Sequence, residues 1–452
     1  MPVCEKKIYS IKPPTLISYM YIWSVLFEPL GYFVLYRIGS VNITISRSLQ
    51  LLVLSSLILF FINSKKKSFY LDRIDQGFIK YFLIFCLCYV FSFINVEVIQ
   101  NLIDENRAKI MFDGYEIVSP ASRAAIIILS SFYKVIYFII LFRYLVGDAY
   151  LQRKFLFLFK KMFFVVMTLG FIDYLSIILD FGYIFSRHIH EDVSVGARFH
   201  GVFGEPRHVL PYLTLVAVIS LLIRNFELKL VTSIGWILIL TALFLTGSFS
   251  SFVAVFLAVV SIIVYQKRFI YILFILPVLL IFYYFSNEFN PHVAYYTNHF
   301  YELFNRLINT SFSDFNYELV GSFGGQDRDI YTLLKRVYEI PSLSGILNLL
   351  LGTGIMSAAV DYNYAIGNNI FDMSPPSSWF IVLIYEVGLL GLFLFIFSLY
   401  RPIWRFLPDG CGRLHAKELL IFITVICMIQ KSDMIYIFIG FLWSFYAIRP
   451  AR

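Results

Sequence analysis

The chain of 452 residues is 59% hydrophobic and 19% aromatic, and only 15% of its residues are charged. An ordinary soluble domain carries roughly 25% charged residues, so this composition excludes a soluble globular protein. The net charge of +8 at pH 7 would suit nucleic-acid binding only if the basic residues formed a patch, so their position along the chain decides that question.

Long apolar runs divide the chain into twelve predicted membrane-spanning helices. A helix needs about 20 mostly apolar residues to cross the hydrocarbon core of a bilayer. The first run keeps Glu28 and Pro29 and has no small-residue cleavage site behind it, which favours a retained helix over a signal peptide. The runs lie near 15–36, 48–63, 79–96, 123–145, 162–180, 209–223, 230–246, 250–265, 269–286, 378–400, 417–430 and 434–448.

Lys and Arg are concentrated in alternate connections between the predicted spans. Cytoplasmic loops carry the excess of these residues, and with the N-terminus inside, the cytoplasmic segments hold most of the 37 basic residues. Both termini are therefore predicted to be cytoplasmic, and the basic excess indicates orientation rather than a nucleic-acid surface. None of the five cysteines falls in a predicted external loop, so no disulfide framework is expected.

One basic residue, Lys134, lies near the middle of the fourth predicted span. A charge at that depth is costly and normally faces the bundle interior or a water-filled cavity. Asp173 in the fifth span is the expected partner, and a structural ion pair is favoured over a substrate contact. The same structural interpretation applies to Glu28 and Glu386.

The predicted loops divide the chain into three parts. Residues 1–286 hold the first nine spans and a short, dense external loop at 181–208, residues 287–377 form one large external loop, and residues 378–452 hold the last three spans. Loops above about 15 residues are uncommon unless they are functional, so 287–377 is expected to fold as a small helical cap.

Histidines are concentrated on the predicted external side, with four of the seven between 188 and 208. His188 and His190 have strand-like spacing, but no span supplies a histidine pair on one helix face with an acid in register, as a metal site would need. Polar loop residues or sugar contacts are the favoured interpretation, and no metal is expected. The chain also lacks a serine nucleophile elbow and a Gly-rich nucleotide loop.

Arg198 and Glu205 bracket Gly201 and Gly204 at the mouth of the sixth predicted span. Their spacing of seven residues would place both on one side of a helix, if the segment were partly helical. An arginine beside glycines suits a phosphate or diphosphate, because the guanidinium binds phosphate oxygens bidentately and glycine lets a ligand approach the backbone. An Arg198–Glu205 pair that only closes the loop is the alternative.

Four segments, in this order, resemble the bacterial O-antigen polymerase and ligase superfamily, integral membrane enzymes that act on polyprenyl-diphosphate-linked glycans. The resemblance covers roughly 198–400 and includes the long, late external loop. The segments are Arg198-x-x-Gly201-x-x-x-Glu205-Pro206; Leu245-Thr246-Gly247-Ser248-Phe249-Ser250-Ser251; Asp327-Arg328-Asp329 through Leu350-Leu351-Gly352-Thr353-Gly354; and Ser374-Pro375-Pro376-Ser377-Ser378-Trp379 followed by Tyr385-Glu386-Val387-Gly388-Leu389-Leu390-Gly391.

The resemblance implies an all-α, GT-C-like membrane protein of about 12 transmembrane helices, with the long loop between helices 9 and 10. Two positions depart from the family pattern. Phe249 stands where relatives commonly carry a basic residue, and Ser377-Ser378 stands where many relatives, ligases especially, carry His or Asn. The second departure favours a repeat-unit polymerase over a ligase that transfers the glycan to a lipid A core.

By this resemblance the enzyme would transfer a growing glycan from undecaprenyl diphosphate onto another lipid-linked repeat unit, at the outer face of the plasma (inner) membrane. The implied partners are the lipid-linked donor and acceptor, membrane lipids and a chain-length regulator, with no cofactor, metal or nucleic acid. The residues expected to act are Arg198 and Arg328 on the diphosphate, with Arg207 in reserve, and Glu205 as general base, with His200 or His208 as the alternative. The expected substrate-binding residues are Arg207, His200, His208, Gly201 and Gly354.

A transporter or flippase with twelve helices is the alternative from another functional class. Transporters built from two halves generally show a six-plus-six repeat and a long central cytoplasmic connection. Here the connection between the sixth and seventh spans covers only about 224–229, and the long loop is external and late. These features favour the enzyme.

Overall fold

The structure is a computed structural model in which helices predominate. It describes residues 14–30, 34–38, 41–64, 71–91, 101, 120–179, 181, 182, 184, 199–203, 208–224, 230–246, 248–268, 333, 340–355, 357, 378–407 and 416–446. The elements, in chain order, are α1 (Thr15–Leu26), β1 (Val34–Ile38), β2 (Val41–Thr44), α2 (Ile45–Asn63), α3 (Arg73–Phe91), α4 (Pro120–Lys134), a π-helix (Val135–Ile140), α5 (Leu141–Val146), α6 (Ala149–Ile178), α7 (Val209–Arg224), α8 (Ser233–Leu245), α9 (Phe249–Gln266), α10 (Leu343–Leu351), α11 (Trp379–Trp404), α12 (Ala416–Ile429) and α13 (Met434–Tyr446).

Every predicted span that falls within the described residues overlaps a helix, and the span at 269–286 lies outside them. Within the part of the chain that the structure describes, four helices are long and apolar enough to cross a membrane, and the shorter α1, α7, α8, α9 and α13 are apolar as well. These helices suggest a membrane protein. The four long ones are Ile45–Asn63, Ala124–Val146, Ala149–Ile178 and Trp379–Trp404.

The first predicted span is wrong beyond residue 26. Helix α1 ends at Leu26, a 3-10 turn covers Glu28–Leu30, and β1 then pairs antiparallel with β2, with Ile38 opposite Val41. Pro29 lacks a backbone N–H and its ring clashes with the carbonyl four residues earlier, which disfavours continuation of the helix through this apolar run. The all-α prediction therefore holds for the described residues except at this hairpin.

Helix α6 begins well before the predicted span at 162–180. Its N-cap is Asp148, whose side chain accepts a hydrogen bond of 2.8 Å from the Tyr150 N–H. The first turns carry Arg153, Lys154, Lys160 and Lys161, which interrupt the apolar run but are good helix formers. The helix is thus longer than its apolar part.

The core is centred on α13, whose residues from Met434 to Phe445 are all buried. It packs against the π-helix, α5, α7 and α12. A Cβ at Gly440 would lie 1.9 Å from the Phe138 carbonyl oxygen, so this close crossing of α13 and the π-helix requires glycine. By contrast, α2 exposes five large aliphatic side chains, which suits lipid contact: Leu51, Leu52, Ile58, Leu59 and Ile62.

A buried ion pair joins α3, α5 and α13 at one end of the bundle. Arg143 donates to the Asp75 carboxylate at 2.8 Å and also contacts Asp72. The Trp443 indole N–H donates to the other Asp75 oxygen at 3.0 Å, and the guanidinium lies 4.4 Å from the Trp443 ring centroid. This end is predicted to be cytoplasmic.

Candidate functional site

The first and second segments of the resemblance are in contact. The Phe199 N–H donates to the Leu245 carbonyl at 2.9 Å, which places the turn at 199–203 against the C-terminal end of α8. The Phe199 ring lies 4.9 Å from the Phe171 ring and 6.2 Å from the Tyr174 ring, both on α6. The turn is therefore held between α6 and α8.

The described part of the first segment is a turn and not a helix. Gly201 has φ +62°, a left-handed conformation that favours glycine, and the Phe203 N–H donates to the His200 carbonyl at 3.1 Å. A Cβ at Gly170 would lie 2.6 Å from the Gly201 Cα, so the turn packs directly on the α6 backbone. The described residues 199–203 therefore do not form the helix that would place Arg198 and Glu205 on one side, and these two residues themselves lie outside the described residues.

The second segment continues into the N-terminus of α9. The Ser248 and Ser250 hydroxyls lie 3.0 Å apart, and the Ser251 N–H donates to the Ser248 carbonyl at 3.0 Å. The Gln430 amide, beyond the end of α12, donates to the Ser250 hydroxyl at 3.4 Å. The end of α12 thus adjoins the first pair of segments.

The third and fourth segments are also in contact, at a break in α11. Gly388 has φ +73° and ψ −177°, so the helix is interrupted there. The Thr353 N–H donates to the Tyr385 carbonyl at 2.9 Å, and the Gly354 N–H donates to the Glu386 carbonyl at 3.0 Å. Carbonyls freed by a break in an apolar helix need such partners, because lipid supplies none.

Two glycines allow this contact. A Cβ at Gly352 would lie 2.3 Å from the Glu386 carbonyl oxygen, and a Cβ at Gly388 would lie 2.2 Å from the Leu350 carbonyl oxygen. Glycine at these two positions therefore lets the backbone of α10 lie directly against the interrupted backbone of α11. The carboxyl-bearing residue beside the break, Glu386, is buried.

The end of α12 also adjoins the start of α11. The Ser378 hydroxyl donates to the Met428 carbonyl at 3.3 Å. The Trp379 ring lies beneath two ammonium groups, with Lys134 Nζ 5.9 Å and Lys431 Nζ 5.7 Å from the ring centroid. The second and fourth segments of the resemblance are thus linked through residues 428–431.

Lys134 forms its ion pair with Asp433, and the expected pair with Asp173 is wrong. Lys134 Nζ lies 2.9 Å from one Asp433 oxygen and 2.8 Å from the other. Asp173 instead accepts a 2.6 Å hydrogen bond from the Ile184 N–H, at the end of α6. The fourth and fifth spans are neighbours in sequence, but this did not decide the partner of Lys134. The Lys134 side chain instead faces the turn between α12 and α13.

Glu28 belongs to a hydrogen-bonded network that fixes α4 beside α2. Its carboxylate accepts hydrogen bonds from the Ser46 hydroxyl at 2.5 Å and the Gln50 amide at 2.8 Å. The Tyr133 hydroxyl donates to the same Gln50 side chain at 2.8 Å. These hydrogen bonds agree with the structural interpretation of Glu28. They also fix the position of Tyr133, which precedes Lys134 in the chain.

Only part of the predicted site lies within the described residues. Arg198, Glu205, Arg207 and Arg328 lie outside them. His200 and Gly201 are buried in the turn between α6 and α8, and His208 is half-buried just before α7.

Gly354 is the remaining predicted substrate-binding residue, and its N–H is already bonded to α11. Among the described residues, no three His, Cys, Asp or Glu side chains come together as a metal site.

Reasoning from the sequence did not select Gln430, Lys431 and Asp433, which lie just after the end of α12. The only pattern in the sequence that marks them is the short polar break Lys431-Ser432-Asp433 between two apolar runs. A break of three residues is ambiguous, because any helix hairpin needs a polar turn. Neither family models, nor curated proteins, nor solved structures give a match to this chain.

Proposed function

We propose that the chain is a polysaccharide polymerase that joins polyprenyl-diphosphate-linked repeat units at the outer face of the plasma membrane. The observation that carries the proposal is the pairing of the four resembling segments. The first contacts the second through Phe199 and Leu245, and the third contacts the fourth through Thr353 and Tyr385. The end of α12 then adjoins both pairs.

The proposed reaction is a glycosyl transfer between two lipid-linked glycans. A hydroxyl of the acceptor sugar attacks the anomeric carbon of the donor, the bond from that carbon to the diphosphate oxygen breaks, and the diphosphate takes the electron pair. Arg198 and Arg328 bind the leaving diphosphate, because a guanidinium remains charged and donates to phosphate oxygens. Glu205 accepts the proton of the attacking hydroxyl as general base.

The remaining predicted residues have supporting roles in this proposal. Arg207 and His208 lie in the same short stretch as Glu205 and would contact sugar or phosphate. His200 and Gly201 are buried in the turn that packs against α6, so they shape this turn, which directly follows Arg198 in sequence. Gly354 stabilises the break in α11 through its bond to Glu386.

The test is Arg198→Ala in cells that depend on this chain for surface polysaccharide. We expect the polymer to disappear while single lipid-linked repeat units accumulate, because the donor can no longer be bound productively. The measurement is gel separation of the polysaccharide together with mass spectrometry of extracted lipid-linked glycans. Arg153→Ala is the matched control, because Arg153 is an exposed residue near the start of α6. Wild-type chain lengths in Arg198→Ala at normal protein levels would contradict the proposal.

One observation favours transport as a second candidate. Interrupted helices are typical of transporters, whose substrate sites lie at such breaks, and α11 is interrupted at Gly388. Loss of a flippase leaves lipid-linked repeats on the cytoplasmic leaflet, whereas loss of a polymerase leaves them on the outer leaflet. Treating spheroplasts of the Arg198→Ala strain with a membrane-impermeant oxidant of sugars separates the two, since only outer-leaflet glycans react.

A further inference from the structure

Three separate elements converge on the indole of Trp379. Lys134 ends α4, Lys431 lies in the turn between α12 and α13, and Trp379 begins α11. Both ammonium groups lie within 5.9 Å of the ring centroid, which is within the range of cation–π attraction. We name Lys134, Lys431 and Trp379 the lysine–tryptophan cluster.

The backbone around this cluster departs from regular structure in two places. Lys134 is followed directly by the π-helix Val135–Ile140, and π-helical turns occur frequently at functional sites. Lys431 has φ +50°, a left-handed conformation that is strained for a residue with a side chain. Such departures persist where the surrounding structure holds them, and here they direct two cations to one ring.

The cluster is partly shielded from solvent but remains accessible. The Lys134 side chain is 19% exposed and that of its partner Asp433 is 35% exposed. Charges in such a position interact more strongly than they do in water, because the local dielectric constant is lower. Lysine binds phosphate groups as a point charge, and an indole offers a flat apolar surface to a lipid or a sugar ring.

The contacts of the cluster connect it to the resembling segments. Ser378, next to Trp379, donates to the Met428 carbonyl, and Gln430, next to Lys431, donates to the Ser250 hydroxyl. A ligand bound on Trp379 would therefore lie beside the second and fourth segments. This adjacency favours the substrate over a structural phospholipid.

We propose that Lys134, Lys431 and Trp379 bind the diphosphate head of the lipid-linked glycan, with the two ammonium groups on the phosphates and the indole beside the lipid or the first sugar. This inference rests on the proposed polymerase function and adds substrate-binding residues to it. Asp433 orients Lys134 in the free protein and competes with the incoming diphosphate for the same ammonium group.

The competition separates a binding site from a purely structural ion pair. If Lys134 and Asp433 only stabilise the fold, Asp433→Asn lowers stability and leaves ligand affinity unchanged. If Lys134 binds the diphosphate, the same substitution removes a negative charge from the site and releases Lys134, so the affinity for the ligand rises.

The experiment measures binding of undecaprenyl diphosphate to the purified full chain in nanodiscs of phosphatidylcholine, by microscale thermophoresis. We expect Lys431→Ala and Trp379→Ala each to weaken binding by about tenfold or more, which equals about 1.4 kcal/mol. The double variant Lys134→Met with Asp433→Asn should weaken it similarly, without leaving an unpaired charge. Asp433→Asn alone should strengthen it.

Lys417→Met is the matched control, because Lys417 Nζ lies 5.3 Å from the centroid of the Trp404 ring. The contact has the same chemistry but joins α12 to α11 at the predicted cytoplasmic end, so this variant should bind as the wild type does. Phosphatidylglycerol and inorganic pyrophosphate are the comparison ligands. Binding of phosphatidylglycerol as tightly as undecaprenyl diphosphate would overturn the assignment in favour of a structural lipid.

The cellular assay keeps the two proposals apart. If the cluster variants bind undecaprenyl diphosphate normally and make normal polymer while Arg198→Ala makes none, this inference is wrong and the polymerase proposal stands. If Arg198→Ala also makes normal polymer, the polymerase proposal is wrong as well. Weakened binding together with shortened or absent polymer in the cluster variants supports both.

Discussion

Single residues decide the two unusual features of this bundle. Lys134 is a charge within an apolar helix, and its cost is offset by the Asp433 carboxylate and by the Trp379 ring. Gly388 interrupts α11 and brings its backbone against that of α10. In both cases the residue acts through partners that are distant in sequence.

Gly388→Ala tests the contact between α10 and α11. An alanine there would combine left-handed backbone strain with a Cβ 2.2 Å from the Leu350 carbonyl oxygen. We expect a loss of stability of about 3 kcal/mol or more. The measurement is thermal unfolding of the detergent-solubilised protein.

Gly182→Ala is the control for Gly388→Ala. Gly182 has nearly the same φ, +74°, but no atom lies within 4 Å of the position that a Cβ would occupy there. We therefore expect Gly182→Ala to lower stability by about 1 kcal/mol, through backbone strain alone. Equal losses in the two variants would mean that the steric contact with α10 contributes nothing.

Elements are joined here by polar clusters at their ends as well as by apolar packing. The cluster of Asp75, Arg143 and Trp443 joins α3, α5 and α13. Burial raises the pKa of the Asp75 carboxyl from its ordinary value of 3.8 to about 6, although Arg143 opposes the shift. Asp75 precedes the predicted span at 79–96, so its carboxyl lies outside the membrane-spanning segment.

The raised pKa of Asp75 predicts how stability depends on pH. Between about pH 4 and 6 the folded protein holds a proton that the unfolded chain has lost, so stability falls as the pH rises through this window. The loss should reach about 1–3 kcal/mol. In Asp75→Asn, which cannot titrate, the difference in melting temperature between pH 4.5 and pH 7 should be smaller than in the wild type.

Asp148→Asn is the control for the pH effect. Asp148 is an exposed cap residue of α6, so its substitution should shift melting at both pH values alike and keep the wild-type difference between them. A pH dependence in Asp75→Asn that equals that of the wild type would show that Asp75 is not the titrating group.

The helices of the described residues form a bundle with a buried centre and apolar outer faces. Helix α13 is surrounded by protein, whereas α2 exposes a row of large aliphatic side chains. Such a surface is stable only against lipid or another apolar partner. The predicted orientation places the turn at 199–203 and the Trp379 and Lys431 side of the bundle towards the outside, and Arg143 and Trp443 towards the cytoplasmic ends of their spans.

Cysteine labelling tests this orientation at the two ends of α6. Phe181 is 80% exposed and Tyr150 is 61% exposed. In a background with Cys4 and Cys411 replaced by serine, a membrane-impermeant maleimide should label Phe181→Cys in intact spheroplasts. Tyr150→Cys should be labelled only after the membrane is permeabilised. The reverse pattern would invert the topology and place the proposed reaction on the cytoplasmic face.

The positions of most helices were predictable because crossing a bilayer requires long apolar runs, which are visible in sequence. The errors arose where other forces decide the structure. Pro29 ended α1 within an apolar run, and the charged first turns of α6 were helical although they are not apolar. The ends of α1 and α6 therefore depend on helix propensity and on the missing N–H of proline, and not only on hydropathy.

By itself, the sequence determined the helical class, since long apolar runs depend on local composition, and it predicts an orientation and a family resemblance on the same local basis. Only the tertiary structure paired Lys134 with Asp433, brought Thr353 to Tyr385 and placed Trp379 beneath two lysines. These contacts join residues far apart in the chain. Helix packing selects them through shape and hydrogen bonding, which a pattern of apolar and charged residues does not encode.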